Sequence, residues 1–168
     1  MAAFYLRPWR IDVTLRPGVR SPVSGASLAR LAAHALTVCR APSPASLGLI
    51  LSDDRELGEL NVEHMGHAGP TDVLSFPLLP VGLFPTHPGQ DPTLRKVRSA
   101  GFVLPPGRRP HLGDIIVSVE RAREQAPGSI EEELRRLVVH GVLHICGWDH
   151  ASPNERDAMR ALESKVLA

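Results

Sequence analysis

Short segments in which apolar residues alternate with polar ones or run together predict four β-strands. Residues 11–15 (Ile-Asp-Val-Thr-Leu) alternate between apolar and polar, which is typical of a strand with one buried face. Residues 47–52 form a short apolar run of the kind found in buried strands, and residues 112–118 form a further strand. Residues 72–78 form the fourth, in which Pro77 lacks a backbone N–H and therefore suits the end or edge of a sheet.

Apolar residues recur with the helical period in five other segments. The predicted helices span residues 27–40, about 54–64, about 119–125, the segment between Ser129 and Gly147, and about 153–167. The fourth is the best defined, because Ser129 and Glu132 form a capping box at its start and Gly147 lies where a C-terminal cap glycine belongs. About four strands and five helices together predict an α+β fold.

A long segment, residues 79–110, has no clear period and carries repeated Pro and Gly residues. A stretch of this length without secondary structure is uncommon inside a compact domain and is usually a functional or disordered excursion. We therefore expect one domain over residues 1–168, interrupted by a Pro/Gly-rich loop at about 79–110.

The composition excludes several classes of protein. With 168 residues, 43% of them hydrophobic, and a formal net charge of +1, the chain can fold as one stable globular domain. Two cysteines are too few for a disulfide framework, which favours a reducing cytoplasm. The N-terminus lacks a signal-peptide pattern, and no run of about 18 apolar residues predicts a membrane span. The net charge by itself gives no reason to expect a nucleic-acid partner.

Three of the eight histidines lie close together in the sequence HGVLHICGWDH, residues 140–150. His140 and His144 are four residues apart, so their rings lie on one face of a helix, about 40° apart. Gly147 ends the helix and allows His150 to return as a third ligand. Three protein ligands leave the fourth position of a tetrahedral zinc ion open to water, as in catalytic sites. The alternative is a pair of histidines at the polar edge of a helix.

The spacing of these histidines is also that of the metzincin proteases, which need a Glu directly after the first His as general base. Gly141 occupies that position, so peptide hydrolysis by that mechanism is disfavoured. Asp149 has two open roles, either to orient a ligand or accept a proton, or to stabilise a turn through its own backbone. His34 and His87 have no partner at ligand spacing.

The motif HGVLHICGWDH closely resembles the H-G-x-L-H-x-x-G-x-D-H signature of the YbeY family of bacterial endoribonucleases. Residues 60–78 (LNVEHMGHAGPTDVLSFPL) resemble the family segment that ends P-T-D-V-L-S-F-P, and residues 112–118 (LGDIIVS) resemble its L-G-D-I strand. The residues after the histidine motif, including Asn154, Glu155 and Met159, are similar to its closing helix. The resemblance covers roughly residues 47–167.

The resemblance implies a zinc-dependent endoribonuclease specific for single-stranded RNA, which acts in the cytoplasm. It would mature ribosomal RNA, notably the 3′ end of the small-subunit RNA, and act in ribosome quality control, with RNA and the ribosome as partners and no membrane. The implied fold is a small mixed β-sheet, here of four strands, packed with about five helices. One zinc ion per chain would be held on the central helix by His140, His144 and His150. By the same resemblance, Thr71, Asp72 and Ser75 line the cleft opposite the zinc.

One departure from the family pattern concerns the phosphate contact. The family usually has an Arg five residues before the Pro of P-T-D-V-L-S-F-P, and here that position is Met65. His64 and His67 are candidates to replace it as partly protonated donors, with surface histidines in a turn as the alternative. Arg55 and the arginines of residues 79–110 are the other candidates.

The second departure is the segment 79–110, which is longer than the usual connection in the family. It is either a basic flap over RNA or a disordered insertion. Phe84 and Phe102 are its only aromatic residues able to stack on bases, so we expect the disordered insertion.

Two other classes of function remain open. One is a zinc-binding ribosome-assembly factor with weak or no catalysis, which the missing Arg favours. The other is a further kind of zinc hydrolase, such as a protease. A nuclease that binds phosphate through a cation needs little global charge, so the net charge of +1 indicates only weak non-specific affinity for RNA.

Overall fold

The computed structural model describes residues 1–66, 68–69, 71–90 and 109–168, with the backbone alone of Met65. The strands are β1 (Ala2–Leu6), β2 (Trp9–Leu15), β3 (Ala45–Ser52), β4 (Val73–Pro77) and β5 (His111–Ser118). The helices are α1 (Gly25–Val38), α2 (Asp54–Met65), α3 (Val119–Gln125), α4 (Ile130–Ile145) and α5 (Pro153–Leu167), and residues Val81–Leu83 form a single 3-10 turn.

The strands form one mixed sheet in the order β1-β2-β3-β5-β4. The three central strands are parallel, and β1 and β4 pair antiparallel at the two edges. The α+β fold with a small mixed sheet is confirmed, but the predicted number of strands is wrong by one, because β1 adds a fifth. Residues 2–6 are mostly exposed and have no alternating pattern, so only their backbone pairing with β2 makes them a strand.

Helix boundaries follow the side chains that cap them. Helix α1 begins at Gly25, two residues before the predicted start, because the Ser24 hydroxyl accepts a hydrogen bond from the backbone N–H of Ser27. The predicted capping box of α4 is present, with Ser129 and Glu132 each accepting from the other's backbone N–H. These caps satisfy N–H groups that a helix leaves without intrahelical partners.

The core lies between one face of the sheet and the helices α1, α3, α4 and α5. Its largest fully buried residues on this face include Ile11, Leu28, Leu36, Leu47, Leu49, Ile115, Leu134 and Leu137. A smaller cluster on the opposite face joins Leu57 of α2 to Leu74 and Ile116. Helix α4 is central, since it packs on β4 and β5 and on the three other helices of its face.

Helix α4 approaches the sheet unusually closely at one residue. A Cβ atom added to Gly141 would lie 2.6 Å from Cγ2 of Ile115 on β5. The absence of a side chain also lets Ser75 of β4 donate a hydrogen bond of 3.3 Å to the Gly141 carbonyl oxygen. Gly141 therefore brings the histidine-bearing helix onto the edge of the sheet that β4 forms.

The first part of the segment 79–110 is packed against the rest of the protein. Phe84 and His87 are both buried, and Phe84 belongs to the main core. The expected disordered insertion is therefore wrong for residues 79–90, because their apolar and aromatic side chains have a packed environment. The same expectation for residues 91–108, which include Phe102 and four of the basic residues, lies outside the described residues.

No helix in the described part of the chain is long and apolar enough to cross a bilayer.

Candidate metal centre

Two of the three motif histidines project from the last two turns of α4, and the third follows the turn that ends it. Gly147 adopts φ +85°, a left-handed conformation that costs glycine little. A Cβ atom there would also lie 2.3 Å from Cγ2 of Val81, so the chain can turn back only with glycine at this position. His150 is thereby returned to the face of α4 that carries His140 and His144.

The three imidazoles converge. One ring nitrogen from each lies within 4.8 Å of the others, and this is the group of potential metal ligands found in the described part of the chain. The Nε2 atoms of His140 and His144 are 3.0 Å apart. The ring centroid of His144 lies 4.6 Å from that of His140 and 5.3 Å from that of His150. The predicted spacing thus produces the arrangement that one small cation requires.

A carboxylate that the sequence analysis missed orients the first ring. Oε1 of Glu163 on α5 lies 2.5 Å from Nδ1 of His140, which leaves Nε2 directed at the other histidines. Metal-binding histidines commonly donate their other ring N–H to a carboxylate in this way. A signal was present in the sequence, because Glu163 lies on the same helical stripe as the buried Met159 and Val166.

The electrostatics of the site keep the central imidazole neutral. Burial lowers the pKa of His144 from 6.5 to about 4, and the neighbouring His140 and His150 add to the effect. A neutral imidazole has a lone pair available for a metal at neutral pH. Three such nitrogen donors suit zinc and related borderline divalent ions, so the residues present fit the metal that the motif predicts.

A cleft of about 850 Å³ opens beside the histidines. Thr71, Asp72 and Ser75, predicted to line such a cleft, all contribute to its wall, together with His140, His144 and His150. They reach it because β4 is the edge strand next to α4 and because residues 71 and 72 immediately precede it. The structure therefore brings six of the seven predicted site residues together.

The seventh predicted residue, His64, is absent from the described wall of the cleft. It lies near the end of α2, the helix that covers the opposite face of the sheet from α4. Its ring contacts Phe76 edge-on at 5.2 Å, and Phe76 points away from Ser75 because neighbouring residues of a strand face opposite sides. The side chain of Met65, like His67, lies outside the described residues.

The polar groups of the wall are already hydrogen-bonded to one another. Asp72 accepts a hydrogen bond of 2.9 Å from the backbone N–H of Val73, and Thr71 donates to the same carboxylate at 3.3 Å. Nη2 of Arg136, one helical turn before His140, lies 3.9 Å from the other oxygen of Asp72. Arg136 forms its main ion pair with Glu133, and hydrogen bonding to Glu133 raises the pKa of its guanidinium.

Asp149 and Arg55, two further candidates, have clear structural roles, and so does Cys146, which lies between His144 and His150 in the sequence. The Asp149 carboxylate accepts a 2.8 Å hydrogen bond from the backbone N–H of His150, which is the turn role predicted as one alternative. Cys146 is buried beside Cys39, and hydrogen bonding to Cys39 with burial raises the pKa of its thiol. Arg55, a candidate phosphate contact, is exposed and pairs with Glu59 on its own helix. None of the three joins the histidine group in the described structure.

The whole sequence resembles that of known proteins. A sequence model of the family described as Endoribonuclease YbeY matches residues 21–168, a longer span than the resemblance of the motifs alone. The chain is 36% identical over 161 residues to "Endoribonuclease YbeY" of Thermobifida fusca, covering 94% of this chain and 92% of that protein. It is 39% identical over 144 residues to the protein of the same name from Symbiobacterium thermophilum, covering 83% and 81%.

The fold has a counterpart among solved structures. The solution structure of TM1509 from Thermotoga maritima matches with a TM-score of 0.51 at 22% sequence identity. The match covers 94% of this chain and 86% of that one. At this identity the match supports the architecture of sheet and helices and nothing further.

Proposed function

The chain belongs to the endoribonuclease YbeY family, and on that premise we propose that it hydrolyses phosphodiester bonds of single-stranded RNA with the help of one bound zinc ion. The observation that carries the proposal is the convergence of His140, His144 and His150 beside an open cleft. Three imidazoles around a single point bind one cation and leave part of its coordination sphere for substrate and water.

The chain's own residues prepare this site for a cation. Glu163 orients His140, burial keeps His144 neutral, and the turn at Gly147 brings His150 to the other two. A zinc ion held there would act as a Lewis acid, lowering the pKa of a water molecule and polarising a phosphoryl oxygen. We propose His140, His144 and His150 as the metal ligands because of their geometry and the donor chemistry of imidazole.

The wall formed by Thr71, Asp72 and Ser75 is proposed to hold the RNA strand. The hydroxyls of Thr71 and Ser75 already donate within the protein, so their free lone pairs can accept hydrogen bonds from the substrate. Ribose 2′-hydroxyls and base N–H groups are suitable donors. The guanidinium of Arg136 lies 3.9 Å from Asp72 of this wall, and Arg136 replaces His64 as the candidate partner for a phosphate.

We further propose that the substrate is ribosomal RNA. The cleavage would mature the 3′ end of the small-subunit RNA and contribute to ribosome quality control, in the cytoplasm and in contact with the ribosome. The support is the match to the family signature across the histidine motif, the P-T-D-V-L-S-F-P segment and the L-G-D-I strand. We propose one functional domain over residues 1–168, supported by the family match over residues 21–168 and by the relative from Thermobifida fusca, which covers 94% of this chain.

The test combines metal analysis with RNA cleavage by the full chain. We expect one zinc ion per chain, cleavage of a single-stranded RNA in preference to its duplex, loss of cleavage with chelator, and recovery with added Zn²⁺. His144→Ala is expected to lose stoichiometric zinc while remaining folded. His34→Ala, a change of an exposed histidine on α1, is the matched control and should keep both zinc and activity.

Three outcomes would contradict the proposal. Cleavage that chelators leave unchanged would exclude the metal-dependent mechanism. Binding of RNA without cleavage would favour the assembly factor, in which the replacement of the family Arg by Met65 has removed catalysis. Hydrolysis of denatured protein but not of RNA would favour a protease.

A further inference from the structure

A buried histidine outside the motif contacts the loop that carries His150. Residues 79–90, which we call the strap, run from β4 to the start of α5, and His87 is their buried histidine. Its Nε2 lies 2.8 Å from Oε1 of Glu155, and the exposed fractions of the two side chains are 2% and 7%. Its ring stacks on Trp148 with centroids 4.0 Å apart and an interplanar angle of 15°.

His87 contacts Trp148, which lies two residues before His150, and the Glu155 carboxylate, which binds the residue between them. The same Oε1 of Glu155 accepts a hydrogen bond of 3.2 Å from the backbone N–H of Asp149. His87 therefore stacks on residue 148 and, through Glu155, holds residue 149. His150 follows directly and has little packing of its own, with a side chain 55% exposed.

The strap reaches this position through close backbone contacts. Gly89 adopts φ +79°, and a Cβ atom there would lie 2.5 Å from the backbone nitrogen of Glu155. Val81, at the other end of the strap, fills the space that a side chain at Gly147 would occupy. The strap is thus seated at both ends of the segment 147–155, through the Val81 side chain at Gly147 and through a backbone contact between Gly89 and Glu155.

The His87–Glu155 contact has a definite chemical requirement. Because an ionised carboxylate only accepts hydrogen bonds, His87 donates from Nε2. A carboxylate that is nearly fully buried is costly unless it is hydrogen-bonded. Without the donor at residue 87, the Glu155 carboxylate would be more stable facing solvent. Turning outwards would release the Asp149 N–H and free the loop that carries His150.

We propose that His87 and Glu155 are positioning residues for the third metal ligand, through which the strap sets the metal affinity of the site. The inference rests on the proposed function in requiring that the three histidines bind a metal, and it is independent of RNA cleavage. Some residues hydrogen-bond to a metal ligand without binding the metal themselves. Their removal commonly lowers metal affinity about 10- to 100-fold.

The test is a titration of Zn²⁺ into the full chain against a competing chromogenic chelator. His87→Phe keeps a ring over Trp148 but cannot donate, and we expect its zinc affinity to fall about 10- to 100-fold. His87→Gln places an amide N–H close to the former Nε2, and we expect it to retain most of the affinity. Glu155→Gln keeps an acceptor for the Asp149 N–H but also donates towards His87, and we expect an intermediate loss.

A second readout separates positioning from a general loss of structure. Co²⁺ bound by three histidines gives visible absorption bands that depend on the ligand set. In His87→Phe we expect these bands to change while the far-ultraviolet circular dichroism stays that of the wild type. His34→Ala is the control, and its Zn²⁺ affinity and Co²⁺ spectrum should equal those of the wild type.

The outcomes distinguish the two proposals. A wild-type chain that binds neither Zn²⁺ nor Co²⁺ would overturn the proposed function and this inference with it. A wild-type chain that binds zinc, with His87→Phe binding it equally tightly and with the same Co²⁺ spectrum, would overturn the positioning role alone. Failure of His87→Gln to recover affinity relative to His87→Phe would also count against the hydrogen bond as its basis.

Discussion

Nδ1 of His140 and Oε1 of Glu163 are 2.5 Å apart, which joins the metal-site helix α4 to α5 across 23 positions of sequence. The contact gives the imidazole one defined orientation, with Nε2 towards His144. It also places a negative charge behind the proposed ligand, which favours a cation in front of it.

Removal of this carboxylate should weaken metal binding without unfolding the protein. For Glu163→Ala we expect zinc affinity to fall about 10- to 100-fold, because the ring of His140 loses both its orientation and its charged partner. Glu163→Gln, which keeps an acceptor without the charge, should lose less. Chelator competition measures the affinity. Asp157→Ala, a change of an exposed acidic residue on the same helix, is the control, and an equal loss in that variant would contradict the specific role of Glu163.

Gly141→Ala should destabilise the protein, although alanine ordinarily stabilises a helix interior by about 1 kcal/mol relative to glycine. The added Cβ atom would lie 2.6 Å from Cγ2 of Ile115, so α4 must move away from β5. Overpacking of this kind typically costs about 1–3 kcal/mol. Urea unfolding measures the free energy of unfolding of both proteins. A Gly141→Ala variant more stable than the wild type would show that the helix accommodates the methyl group.

The ion pair between Arg16 and Glu56 should make a stability contribution that disappears in acid. Hydrogen bonding to Arg16 holds the pKa of Glu56 below its ordinary value of 4.5, and Ser52 donates to the same carboxylate. Because the folded-state pKa is the lower one, the contribution is present at neutral pH and is lost as the pH falls through it. Both side chains are partly exposed, so Glu56→Gln should cost only about 0.5–1 kcal/mol at pH 7.

The decisive measurement is how the difference in unfolding free energy between the wild type and Glu56→Gln depends on pH. The free energies of unfolding of the wild type and Glu56→Gln should converge as the pH is lowered below 4.5. Glu59→Gln, which removes the partner of the exposed Arg55, is the matched control and should change stability by no more than a few tenths of a kcal/mol. A difference for Glu56→Gln that persists unchanged in acid would exclude the charge as its source.

Met65→Arg should increase cleavage of single-stranded RNA, because it restores the guanidinium that the family usually has at this position. One added charge-assisted hydrogen bond to the reacting phosphate is worth about 1.5 kcal/mol, or roughly a tenfold rise in kcat/KM. Met65→Gln, which adds donors without a charge, is the control. Unchanged or lower activity in Met65→Arg would show that the phosphate contact is supplied from elsewhere, with Arg136 as the first residue to test.

Short-range patterns determined much of this protein. The helical period placed His140 and His144 on one face, the glycine at 147 predicted the turn, and His150 was expected beside them. Caps and apolar stripes also predicted five helices and four of the five strands. These features depend on residues a few positions apart, and such residues interact wherever the chain folds into a helix or strand.

Only the tertiary structure decided which distant residues complete the site. Strand β1 exists because β2 offers it an edge. His64 is separated from Ser75 because α2 covers one face of the sheet and the Ser75 side chain projects from the other. Glu163 and His87 reach the site across long stretches of sequence, because α5 and the strap pack beside α4 and the turn that follows it. A helical period can place Glu163 on the inward face of α5, but it does not specify the distant partner, because such partners come together only when the core closes. The sequence alone therefore predicts the three proposed ligands, whereas the fold determines which groups hold them in place.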